Sequence, residues 1–148
     1  MSHPVFLAEN RPAKSEVPNC QVVKAGDFLY LSGVTARGDD GKVVGIGDIK
    51  TQTRQIFANI KGVLALAGCE LTDIIKLNTY LATPASDLNA ARQYFEVRLE
   101  VFGAHRPAST GVNVAGLMLP EMLVEVEAVA YAPHAVVAAN ALVLGGGK

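Results

Sequence analysis

The chain has 148 residues, half of them apolar and 18% charged, with a formal net charge of −1, which suits one well-buried core and leaves too little for a second. That balance excludes a long disordered tract, and without clustered Lys and Arg there is no electrostatic basis for nucleic acid or an anionic membrane as a partner. A small molecule or another protein is the expected ligand class.

The opening "MSHPVFLAENRPAKSE" has no basic segment leading into an apolar run, so no secretory signal is expected and the cytoplasm is the simplest location. "GDFLYLSG" (26–33) is a β-prone run bounded by glycines, and "ARGDDGKVVG" after it carries an Asp-Gly turn signal, predicting an opening β unit. From Thr51 to Ala67, the residues Ile56, Ile60, Val63, Leu64 and Ala67 recur at spacings of three and four, with Arg54 and Lys61 off the stripe. This predicts a helix that Gly68 ends.

"DIIKLNTYLA" (73–82) alternates, with Ile75, Leu77, Thr79 and Leu81 against Lys76, Asn78 and Tyr80, as in a half-buried strand. A second helix is expected next, capped by Ser86 or Asp87, with Leu88, Ala91, Phe95, Leu99 and Phe102 as its apolar stripe before Gly103. Two strands follow: "STGVNVA", with Val112 and Val114 alternating, and "LVEVEAVAY", with Val124, Val126, Ala128 and Ala130 on one face. The order β, β, α, β, α, β, β suggests an α+β fold in which both helices pack on one face of a mixed sheet. The other face then carries Glu125 and Glu127. Carboxylates are rarely buried without partners, and a mean hydropathy of +0.27 is high for a small monomer, so that face is expected to be covered by another subunit.

Cys20 and Cys69 match neither a redox pair nor a zinc set, and His3, His105 and His134 show no ligand spacing, so reduced thiols and no metal are expected. The tail "AVVAANALVLGGGK" is too short in its apolar part to span a bilayer, and its "GGGK" lacks the rest of a phosphate loop. No membrane association is expected.

From about Asn19 to Pro133, four motifs in order resemble the reactive intermediate deaminase family, RidA or YjgF. "AGDFLYLSG" is similar to its Gly-Asp-x-x-x-x-Ser-Gly strand, and "TQTRQIFANIKGVLALAG" to its Thr-x-x-Gln-x-x-x-Asn-Ile helix. "RPASTGVNVAGLMLPEMLVEVEAVAY" is similar to its Pro-Ala-Arg-Ser strand, Leu-Pro turn and final Glu-x-Glu-Ala strand. The resemblance implies a single domain over 1–148 with peripheral ends. It also implies a chorismate-mutase-like α+β fold assembled as a homotrimer around a central barrel, with ligand clefts between subunits. It implies cofactor-free hydrolysis of enamines and imines to ketones and ammonia. Glu125 matches the glutamate that positions water, and Ser32 and Gly33 match a strand end that contacts ligand.

Three positions depart from the pattern. Ser109 stands where the family has its carboxylate-binding arginine, Asn19 where it has an N-terminal tyrosine, and Val34 where it has glutamine. A serine hydroxyl does not replace a bidentate fork, so the implied substrate is an enamine or imine other than the simplest 2-imino acids. Arg37, Arg106 and Arg92 are the candidates for a relocated anion clamp, and Ser109 itself is either a ligand contact or a space filler. Glu127 is expected to be structural and Cys20 a packed thiol. The alternative is a non-catalytic trimeric ligand-binding protein that keeps the cleft. Ribonuclease activity, attributed to some relatives, lacks a basic groove to support it.

Overall fold

A computed structural model describes residues 5–7 and 19–136. His3 and the tail from residue 137 lie outside the described residues. The elements are strands β1 (Val5–Leu7), β2 (Val22–Ala25), β3 (Phe28–Leu31) and β4 (Val34–Thr35), helix α1 (Ile49–Ala65), strand β5 (Ile74–Leu81), helix α2 (Leu88–Phe102) and strands β6 (Ala108–Asn113) and β7 (Val124–Tyr131). They form one mixed sheet in the order β1-β2-β3-β7-β5-β6, with β4 also on β7. Among the described strands only β5 and β6 run parallel, as a crossover through α2 requires.

The first hairpin lies earlier than "ARGDDGKVVG" suggests. Gly26, with φ of 59°, turns β2 into β3, while the Asp-Gly stretch closes only an isolated bridge between Arg37 and Val43. Helix α1 starts two residues before Thr51 because Asp48 caps it, its carboxylate accepting from the Lys50 and Thr51 amides at 3.0 and 3.2 Å. A bond from the Thr51 hydroxyl foremost, and then these amide bonds, hold the Asp48 carboxyl below its usual value. Gly68 ends the helix at φ of 68°.

Both helices cover one sheet face, where Ile56, Phe57, Ile60 and Leu64 of α1 and Tyr94 and Val97 of α2 meet Leu77, Val124, Val126 and Ala128. Gln52 sits inside this core. Its amide donates to the carbonyls of Gly45 and Glu121 and accepts from the Leu123 amide, which pins two loops to α1. Tyr94 and Thr79 share a buried hydroxyl bond of 2.6 Å.

Two expected faces differ in the fold. Ile75 is exposed and Ile74 buried, because a bulge between Ile74 and Lys76 shifts the register of β5 against β7. On α2 the buried residues are Ala90, Tyr94, Val97 and Phe102, and Leu88, Phe95 and Leu99 face outward. Strand β6 is exposed at all six positions, Val112 included, because neither helix reaches over this edge. Among the described residues, no helix is long and apolar enough to cross a membrane.

Candidate functional site

The alternation of β7 sends Val124, Val126, Ala128 and Ala130 into the core and Glu125 and Glu127 to the opposite face. Both carboxylates therefore stand on the uncovered side, beside Asn78 and Tyr80 of β5. Glu127 is tied down: Asn78 Nδ2 donates to it at 2.6 Å and the Tyr80 hydroxyl at 3.1 Å. As acceptor, Glu127 pushes the Tyr80 phenol above its usual pKa. Glu127 also lines a small pocket with Tyr30, Lys76 and Asn78.

Glu125 is held differently. From Tyr30 to Val34 the chain takes four steps while its partner takes three, from Val129 to Val126, so the β3–β4 strand bulges at Ser32–Gly33. The Glu125 carboxylate lies against this bulge, and a Cβ on Gly33 would stand 2.9 Å from Glu125 Cδ and overlap Oε1. Glycine at 33 leaves the space that the Glu125 carboxylate occupies, and a side chain there would displace it. Glu125 is half-buried and accepts no hydrogen bond among the described residues. Burial first, and the Glu127 charge second, raise its pKa above the usual 4.5. A carboxyl so placed can exchange a proton near neutrality more readily than a free glutamate.

Ser32 and Asn19 border the same bulge. The Ser32 hydroxyl donates to the Cys20 carbonyl at 2.5 Å, and Asn19 Nδ2 approaches the Ser32 oxygen at 3.5 Å. The fold thus brings Asn19, Ser32, Gly33 and Glu125 together. Arg37 follows β4 two residues past Thr35, the partner of Glu125, and its exposed side chain donates to the Gly41 carbonyl.

Ser109 is elsewhere. It pairs with Leu77, so its side chain points to the helix side of the sheet, whereas Glu125 points to the other. One chain does not unite them. At Ser109 the structure places a guanidinium that the sequence reading did not single out: Arg98 Nη1 donates to Ser109 Oγ at 2.8 Å. The Arg98 guanidinium carbon also lies 5.8 Å from the Tyr94 ring centroid and 5.9 Å from that of Phe95, within cation–π range. No carboxylate pairs with Arg98 among the described residues. Its place one turn beyond Tyr94 and Phe95 was a legible local signal, but the partner strand was not.

Arg92 and Arg106 are held by local contacts on and at the end of α2. Arg92 bonds Asn89 and lies 3.8 Å from Glu96. Arg106 donates to the carbonyls of Gly103 and His105, closing the end of α2.

A model of the family described as Endoribonuclease L-PSP matches residues 8–132. The chain is 41% identical over 128 residues to a RutC family protein of Pyrococcus horikoshii, covering 86% of this chain and 96% of that protein. It is 33% identical over 131 residues to the 3-aminoacrylate deaminase RutC of Acinetobacter baylyi, covering 88% and 99%. Among solved structures, yeast Mmf1 superposes with a TM-score of 0.76 at 29% identity, over 88% of this chain and 99% of that one. A member of the YjgF/YER057c/UK114 family from Mycobacterium tuberculosis gives 0.71 at 30%, over 87% and 99%.

Proposed function

Because the chain belongs to the Endoribonuclease L-PSP family, which includes the RidA and YjgF proteins, we propose that it hydrolyses an enamine or imine to a carbonyl compound and ammonia, without a cofactor, at a cleft formed between copies of the chain in a homotrimer. The observation that carries this reading is Glu125: a half-buried carboxylate with a raised pKa, seated against Gly33 at the uncovered sheet face. In the reaction, water adds to the imine carbon and loses a proton to the Glu125 carboxylate. Glu125 hands that proton to the nitrogen, completing a carbinolamine, and then relays the carbinolamine hydroxyl proton to the same nitrogen as the carbon–nitrogen bond breaks, leaving the carbonyl and ammonia.

The second cluster supports a substrate class. Ser109 and Glu125 face opposite sides of the sheet, so a ligand touching both must lie between two copies. Arg98 then supplies the cation that Ser109 lacks, and an anionic group on the substrate is the complementary feature. The Acinetobacter relative is named for 3-aminoacrylate, an enamine that carries a carboxylate, and that class is proposed here also. The exposed Phe28, Tyr30 and Tyr131 on the outer face and the uncovered β6 support assembly.

Ammonia release from an enamine acid generated in place, compared between the wild type and Glu125→Gln, tests the reading. Turnover lost in the variant is the expected result. No turnover in the wild type, with a carboxylate ligand still binding, would leave the binding-protein alternative.

A further inference from the structure

The fold gathers three metal-ligating side chains whose spacing along the chain shows no ligand pattern. Cys69 follows the glycine that ends α1 and is buried, its amide bonded to the Leu64 carbonyl at 3.1 Å. Asp73 closes a short 3-10 turn, where its Oδ2 accepts from the Glu70 amide at 2.8 Å. His134 lies in the turn after β7, and that segment is pinned to the end of α1 by the Val136 amide on the Ala67 carbonyl at 3.2 Å. Their ligand atoms all lie within 4.8 Å of one another, and His134 Nε2 is 3.6 Å from Asp73 Oδ2.

We propose that Cys69, Asp73 and His134 form a binding site for zinc or a similar borderline divalent ion, which clamps the segment after β7 to the end of α1. A thiolate, an imidazole and a carboxylate are the donors that zinc takes, and its bond lengths place tetrahedral ligand atoms about 3.4 to 3.6 Å apart. The Asp73–His134 separation already has that value, and small side-chain rotations close the rest. Three donors leave one position for water. The Cys69 and Asp73 amides are hydrogen-bonded to Leu64 and Glu70, and His134 sits inside a turn closed by the Ala135 amide on the Ala132 carbonyl, so little order has to be created on binding.

Burial, and secondarily the Asp73 charge, keep the Cys69 thiol protonated by raising its pKa. Binding therefore exchanges that proton for the ion, Zn2+ plus thiol giving zinc thiolate plus H+. Lys24 also acts on this thiol, but its ammonium is engaged by the Gly26 carbonyl. The site is separate from Glu125. Asp73 precedes Ile74 at the start of β5 and Glu125 pairs with Tyr80 near its end, a distance of about 20 Å along the strand.

Cobalt(II) titration of chelator-treated full-length protein provides the test. The expected result is one equivalent bound, with a thiolate-to-cobalt charge-transfer band and tetrahedral visible bands, displaced by zinc and accompanied by a rise in Tm. His134→Ala, at an exposed residue, and Asp73→Asn, which keeps an acceptor for the Glu70 amide, should each weaken affinity about tenfold or more. Cys69→Ser should lose the charge-transfer band and Cys20→Ser should keep it. If Cys69→Ser does not fold, the other two variants decide, since both retain the thiol. A spectrum with no thiolate band, a band lost in Cys20→Ser, or unchanged affinity in both His134→Ala and Asp73→Asn would overturn the site.

Discussion

Arg98 reaches from α2 to Ser109 on β6, its Nη1 donating to the serine oxygen at 2.8 Å. A helix side chain thereby places a guanidinium beside an edge strand that neither helix covers. The guanidinium engages Ser109 and the Tyr94 hydroxyl, and a five-donor fork has further N–H groups to offer a ligand. Arg98→Ala is expected to weaken an anionic ligand by roughly ten- to a hundredfold, the scale of a lost charge-assisted pair. Calorimetry would read the loss, and Arg98→Lys would recover part of it by restoring charge without the fork. Binding equal to wild type in Arg98→Ala would remove Arg98 from the site.

Gly33→Ala tests the contact between the bulge and Glu125. The added methyl cannot share space with the carboxylate, so the side chain must swing away. Because the obstructing atoms are the end of a flexible side chain, little stability should be lost. Activity should fall about a hundredfold or more, the lower end of a general-acid–base contribution, with Tm nearly unchanged. A parallel fall in both would instead mark Gly33 as a folding requirement.

Glu125 also makes a pH prediction. Burial raises its folded-state pKa above the unfolded value, so the folded chain holds this proton more tightly. The resulting stability is fully present below the unfolded pKa and is lost as pH rises through the folded one. Glutamine does not titrate. The Tm of Glu125→Gln relative to wild type should therefore rise as pH increases from about 4 toward neutrality, and a flat difference would contradict the raised pKa.

Gln52→Leu should be strongly destabilising although it adds an apolar residue to a core. The change strands the Leu123 amide and the carbonyls of Gly45 and Glu121. Unsatisfied buried groups cost about 1 to 3 kcal/mol each, so a loss of about 3 kcal/mol or more and a Tm lower by roughly 10 °C are expected in thermal unfolding.

Light scattering on a size-exclusion column should give three times the chain mass. A stable monomer at micromolar concentration would separate Ser109 from Glu125 permanently and end the shared-cleft proposal.

Local periodicity determined what depends on neighbours along the chain. The strict alternation of β7 put both glutamates on one face, and the stripe of α1, ended by Gly68, identified that helix and its buried side. Motif order over Asn19 to Pro133 carried the family. Packing decided the rest. On α2, Ala90–Tyr94–Val97 and Leu88–Ala91–Phe95–Leu99 both satisfy spacings of three and four, and only contact with α1 and β5 selects the first for the core. The bulge that turns Ile75 outward is a property of β5 against β7, not of β5 alone. Arg98 meets Ser109, and Cys69 and Asp73 meet His134, through residues far apart in sequence. A linear pattern encodes which way a side chain faces on its own element. Which other element stands opposite is set by strand register and helix docking, where free energy is gained across the whole core rather than within one segment.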